Sequence, residues 1–314
     1  MHLLALLVAC GGNDPTDTDT AATGDGTVDL RLDAAAYPAE ADGEQIFGPD
    51  VVVPPGTERQ YCLFGTYTGE DVGLYGFASH QPGIGHHLIL LGTDEGAEDY
   101  PDGTIVDCTD PGALMTSFDP LITPEPLAQG ETAITLPDGF AVKLRQGQRT
   151  IVQAHYINTL TTPVRVRDVI TVRYRPESEV TTWAAAFALN SDSLRLAPQR
   201  QTTTSFDCDF DDDLNVLYLT GHMHGLGQSF DFSAGSEAAT LQSVVAMDEW
   251  RLEYRDNPPI SRFAPGDLSF PAGSLLRTTC TWFNDTDAEV TFPEEMCTTA
   301  GMVYPSLVPV ICSR

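Results

Sequence analysis

Residues 164–179 read VRVRDVITVRYRPESE. The first eleven are rich in Val, Ile, Thr and Tyr, the β-branched and aromatic types that suit a pleated surface. They stop at a polar break, Arg175-Pro176-Glu177-Ser178-Glu179. The same signature recurs on both sides of the break, at 51–53, 88–91 and 150–156 before it and at 216–219, 275–283 and 288–292 after it. Gly, Pro, Asp and Asn separate these runs. No segment sustains a helical period for more than about two turns, and no repeat of 20–50 residues is present. Many short strands with turn signals every 8–12 residues predict an all-β fold of sandwiches or barrels. The break is the expected boundary between two domains, residues 45–177 and 178–314.

A chain of 314 residues is long enough for two such domains. Acidic residues outnumber basic ones, 45 to 16, for a formal net charge of −29. Such a surface repels phosphate backbones, which excludes nucleic acid as a partner. Hydrophobic residues make up 42% of the chain, enough for a packed core and too many for global disorder.

Residues 1–9 read MHLLALLVA and Cys10 follows. This apolar run falls far short of the roughly 20 residues that span a bilayer. It looks like the tail of a bacterial lipoprotein signal, residues 1–10, with Cys10 as the lipidated residue. An ordinary secretion signal with an unrelated cysteine is the alternative. Residues 11–44, rich in Asp, Thr, Gly and Ala, are expected to form a flexible tether. The expected location is the bacterial periplasm or cell surface, with membrane contact only through the anchor. Setting Cys10 aside leaves six cysteines, Cys62, Cys108, Cys208, Cys280, Cys297 and Cys312, in a compartment where disulfides persist. Six cysteines allow 15 pairings. Two lie in the first half and four in the second, so one bridge and two is the simplest partition. No CxxC pair suggests a metal–thiolate site.

Five of the seven histidines fall into three motifs: His86-His87 in GIGHHLILL, His155 in IVQAHYI, and His222-x-His224 in LTGHMHGLG. On a strand, residues i and i+2 share a face, so His222 and His224 can bind one ion while Met223 points away. Gln153 shares a face with His155 by the same rule. Adjacent His86 and His87 reach one ion only at a strand end or a bulge, for which Gly83 and Gly85 provide room. Together the motifs predict a metal site. No GxSxG elbow supports a serine hydrolase, and no HExxH motif supports a zincin. A zinc hydrolase using the HxH pair remains a competing reading. His80, in FASHQPG, is expected on the surface. The acidic run Asp207, Asp209, Asp211, Asp212 and Asp213 lacks calcium-loop spacing, and Met302 is expected to be structural.

The order HH … QxHY … HxHxxG … EEMC resembles the type II copper, ascorbate-dependent monooxygenases over residues 45–314. That family includes the peptidylglycine α-hydroxylating and dopamine β-hydroxylating enzymes. The resemblance implies two antiparallel, jelly-roll-like β-sandwiches facing each other across a copper-lined cleft. It implies His86, His87 and His155 as ligands of a first copper, and His222, His224 and Met296 as ligands of a second, catalytic one. It implies the pairings Cys62–Cys108, Cys208–Cys312 and Cys280–Cys297, and a position near the first site for Gln153. The implied reaction hydroxylates a C–H bond of a small molecule with O2 and two electrons from ascorbate or another reductant. An exported copper-binding or buffering lipoprotein without turnover is the alternative function. The peptide-hydroxylating members carry an Arg two residues before HxH, where this chain has Thr220. They carry Asn and Tyr where it has Thr298 and Ala300, which argues against C-terminal glycine peptides as substrates.

Overall fold

Burial alternates along the strand Leu275–Asn284, where Leu276, Thr278, Cys280, Trp282 and Asn284 face inward. Such a strand covers a core with one face and meets solvent with the other. The strand Arg149–Asn158 is instead buried on both faces over most of its length, as befits a central strand. The computed structural model describes residues 25–93, 100–109, 119–122, 125–128, 131–255, 257–292 and 294–314. Among these the fold is all-β, with short 3-10 turns and no helix long and apolar enough to cross a membrane.

Three sheets carry the architecture. A five-stranded antiparallel sheet has the order Ile105–Asp107, Thr57–Thr66, Arg149–Asn158, Gly85–Thr93, Asp119–Ile122. A four-stranded antiparallel sheet has the order Arg200–Cys208, Leu275–Asn284, Gly227–Gly235, Gln242–Met247. A larger sheet runs through both halves of the chain, and Val72–His80, Phe140–Leu144, Thr182–Asn190, Thr298–Tyr304 and Leu214–His222 are consecutive in it. The first core holds Leu74, Phe77, Leu88, Tyr156 and Ile170. The second holds Phe187, Phe230, Phe232 and Trp282.

The break at 175–179 contains a 3-10 turn, Glu177–Glu179, between the strands Val169–Pro176 and Thr182–Asn190. The large sheet nevertheless crosses it, since Phe140, Ala141 and Val142 pair in parallel with Thr182, Trp183 and Ala184. Leu217, Tyr218 and Met302 of the second half also pack in the first core. Each half has its own core, and backbone hydrogen bonds join the two.

All six cysteines of residues 45–314 are bridged, as Cys62–Cys108, Cys208–Cys312 and Cys280–Cys297. These are the pairings that the resemblance implies, one in the first half and two in the second. Three disulfides fit an exported protein in an oxidising compartment. Residues 1–24, with Cys10, lie outside the described residues. The expected tether of 11–44 does not extend through its second half. Val28–Asp29 pairs with Val164–Val166, Val28 and Leu30 pack on the first core, and Gln45 donates to the carbonyls of Ala34 and Tyr37. The sparse apolar residues of this stretch suffice because they join a sheet that already exists. His80 is likewise not a solvated loop residue. It ends the strand Val72–His80 and stacks on Tyr37 with ring centroids 4.1 Å apart.

Asp168 is fully buried, and its carboxylate accepts a 2.5 Å hydrogen bond from the Tyr156 hydroxyl. Gly48 is needed beside it, because a Cβ there would lie 2.5 Å from the carboxylate. Burial pushes the Asp168 carboxyl up to about 7, against the opposing effect of hydrogen bonds from Tyr156 and Gln81. The folded state therefore holds a proton that the unfolded chain releases near pH 3.8. Stability from this group is present below that pH and is lost as pH rises toward about 7. The slope is at most about 1.4 kcal/mol per pH unit, with no further loss above. Chemical denaturation of wild type and Asp168→Asn across pH 4–9 checks this: their stability difference changes between pH 4 and 7 and levels off above. A pH-independent difference contradicts the buried protonated carboxyl.

Candidate metal centres

The first centre is built on the five-stranded sheet. His155 sits on its central strand, opposite His87 on one side and Gln60 on the other. The ladder shifts at this point, because His155 pairs with His87 while Tyr156 pairs with Gly85. His86 is thus the extra residue of a bulge, which turns two adjacent side chains toward one point. A Cβ at Gly85 would lie 2.2 Å from the Gln81 side chain, so the bulge needs glycine there.

The three rings converge through Nδ1. His86 Nδ1 lies 3.0 Å from that of His87 and 3.2 Å from that of His155, and the His155–His87 distance is 3.4 Å. A triangle with these sides has its centre about 1.9 Å from each corner, close to the roughly 2.0–2.1 Å of a metal–imidazole bond. His155 is buried and His86 and His87 are half-buried, and the three can hold one metal ion. On the far side of the His155 ring, Nε2 lies 2.8 Å from Glu58 Oε1. A carboxylate there fixes the proton on Nε2 and leaves the Nδ1 lone pair facing the cluster. Burial pushes His155 down to about 4, helped by neighbouring His86 and opposed by Glu58. The imidazole is therefore neutral, the form that ligates, at physiological pH. Gln153 is buried on the same strand, and its amide donates to Gln60 Oε1 at 2.9 Å. It braces the residue paired with His155 and is not among the converging nitrogens.

The second centre lies where the strand Leu214–His222 ends. Met223 is fully buried in the second core, while His222 and His224 on either side of it are half-buried. Their Nε2 atoms lie 3.2 Å apart. His224 Nδ1 lies 2.9 Å from the Glu294 carbonyl, an acceptor that places the proton on Nδ1 and leaves Nε2 free to ligate. The His224 N–H donates to the Glu295 carboxylate, and the Trp250 indole N–H donates to the His224 carbonyl at 3.0 Å. A Cβ at Gly227 would lie 2.5 Å from that indole ring, which explains the glycine that ends HxHxxG.

The same segment carries Met296. It is half-buried and two residues before Thr298, the ladder partner of His222. Its N–H donates to Glu295 Oε1 at 3.2 Å, and the next residue is bridged to Cys280 on the neighbouring sheet. The motifs HxH and EEMC, seventy residues apart in sequence, are therefore tied together by hydrogen bonds of His224 to the Glu294 carbonyl and the Glu295 carboxylate. Met302 is fully buried in the first core. Glu58 and Trp250 were not singled out by the sequence reading, and Glu295 entered only as a letter of a motif. No local pattern marks Glu58, which strand pairing brings beside His155, or Trp250, which lies beyond the strand Gln242–Met247 and reaches His224 through its side chain.

No family model matches the chain, and no curated protein does. Among solved structures, it is similar to one described as the triple jelly roll fold and turret assembly of an archaeal virus, at 10% identity and a TM-score of 0.22. That alignment covers 88% of this chain, which spans 62% of the viral one. It is also similar to a structure of the infectious bursal disease virus Gx strain, at 9% identity and a TM-score of 0.18, covering 86% of this chain and 75% of that one. Likenesses at these TM-scores carry no argument about the site.

Glu58→Gln should weaken metal binding at the first centre by roughly 10–100-fold, the usual effect of losing a carboxylate behind a ligating imidazole. Competition titration with a chromophoric chelator reads this directly. Unchanged affinity contradicts the role assigned to Glu58.

Proposed function

We propose that this protein is a copper-dependent monooxygenase of the type II, ascorbate-dependent class, holding two coppers per chain. One observation carries the reading. A cluster of three imidazole Nδ1 atoms and a separate pair of imidazole Nε2 atoms, the latter tied to the segment of Met296, occur in one chain. Three imidazoles suit an ion that alternates between two oxidation states. Two imidazoles with a thioether favour Cu(I), whereas zinc gains nothing from Met. That difference supports copper over the zinc-hydrolase reading. Copper at these positions supplies the redox chemistry of hydroxylation, in which R–H, O2, two electrons and two protons become R–OH and water. The donor is ascorbate or another one-electron reductant of the exported compartment.

The chain's own residues bear on the substrate. Thr220 is buried, and its hydroxyl donates to the Pro259 carbonyl at 2.8 Å, so it offers no cation to a substrate carboxylate. Thr298 donates to Asn190 Oδ1 at 2.7 Å, and Ala300 pairs opposite Thr220 on the adjacent strand. These positions favour a small molecule without a terminal carboxylate. Lipid anchoring at Cys10 belongs to the same proposal. Cys10→Ser should move the protein from the membrane fraction to the soluble fraction, and unchanged fractionation rules the anchor out.

Met296→Leu keeps the volume and removes the soft donor, so it should cost less than about 1.5 kcal/mol of stability. Copper- and reductant-dependent O2 uptake, screened over small amines, phenethyl compounds and lipids, should fall at least tenfold in this variant. Uptake equal to wild type contradicts thioether ligation. Copper binding without any reductant-dependent uptake by wild type favours the buffering alternative.

A further inference from the structure

We infer that the Glu295 carboxylate, acting against the Trp250 indole, is the positioning element that holds His224 and the backbone of Met296 in ligating register. The inference rests on the copper reading of the second centre and concerns a residue that touches no ligand nitrogen itself.

A carboxylate that is 1% exposed needs partners for its lone pairs, and among the described residues Glu295 finds them in three backbone amides. Oε1 accepts from the N–H of His224 and, at 3.2 Å, from the N–H of Met296. Oε2 accepts from the N–H of Leu226 at 2.9 Å. The three donors belong to two segments that are far apart in sequence, and one carboxylate closes them onto each other. Charge-assisted bonds of this kind are shorter and about twice as strong as neutral ones. They are worth most where water is excluded.

The opposite side of the loop is held as well. The His224 carbonyl accepts from the Trp250 indole. The Trp250 N–H donates to the Gln228 carbonyl at 2.7 Å, and the Phe283 N–H to that of Leu226 at 3.0 Å. His224 is thereby fixed at its N–H, its C=O and its Nδ1. Its Nε2 is the remaining nitrogen, and it points at His222 Nε2. With the His224 backbone free to rotate, a second ligand could not stay in place at the end of a strand. Among the described residues, the strand ladder ends at His222.

Glu295→Gln keeps the shape and replaces one acceptor oxygen with an N–H donor that must face a backbone N–H. At least one of the three amides then loses its partner whichever way the amide turns. Cu(I) affinity of the second centre should fall by roughly 10–100-fold, the range for losing a residue that orients a ligand. The sulfur neighbour seen by X-ray absorption should weaken with it, while the first centre keeps wild-type affinity. Trp250→Phe, which removes the indole donor and also shrinks the ring, should act in the same direction and serves if Glu295→Gln does not fold. Wild-type affinity and an undiminished sulfur shell in the folded variant overturn the inference. If wild type itself binds no sulfur-ligated copper, the copper reading fails instead. Hydrogen exchange of the His224, Leu226 and Met296 amides in the metal-free protein then decides the clamp alone. Exchange at least tenfold faster in Glu295→Gln supports it, and unchanged protection overturns it.

Discussion

Imidazole nitrogens that face one another have to be aimed, and in this protein acceptors outside each cluster do the aiming. Glu58 takes the Nε2 side of His155, and the Glu294 carbonyl takes the Nδ1 side of His224. Each acceptor fixes a tautomer as well as an orientation. The consequence differs between the centres: Nδ1 faces inward at the first and Nε2 at the second. The rest of the structure can be understood as what brings those acceptors to those rings.

Strand register does this at the first centre. Glu58 and Gln60 come from one neighbour of the Arg149–Asn158 strand, and His86 and His87 come from the other. A slip of one residue would send each side chain to the opposite face. Cys62, two residues beyond Gln60, is bridged to Cys108 in a small buried cluster with Phe64, Leu91 and Ile151, which holds that register from below. At the second centre, the anchors are Cys280–Cys297 beside Met296 and the buried Glu295 carboxylate. The buried Met223 contributes too, since its place in the core turns both flanking histidines outward.

Much of this was legible in the sequence. Short β-branched runs between turn residues gave an all-β chain, and the i, i+2 spacing of His222 and His224 gave a shared face. Adjacent His86 and His87 required a bulge, and the ladder has one. Other features were hidden. Residues 25–44 read as a tether because a composition poor in apolar side chains says nothing about joining a sheet made elsewhere, as Val28–Asp29 does. The polar break at 175–179 read as a boundary between separate domains, yet the parallel ladder between 140–142 and 182–184 spans it. Contacts between segments distant in sequence leave no local pattern, and the same limit hid Glu58 and Trp250.

The proposed function makes a specific chemical claim, that both centres bind copper and that only one of them presents sulfur. The most direct test is X-ray absorption at the copper edge on reduced, fully loaded wild-type protein, with the metal content of the same sample determined independently. Two coppers per chain are expected, with an imidazole shell throughout and one sulfur neighbour for every two coppers. Two coppers with no sulfur neighbour, or retention of a single metal at the three-histidine cluster alone, would contradict it.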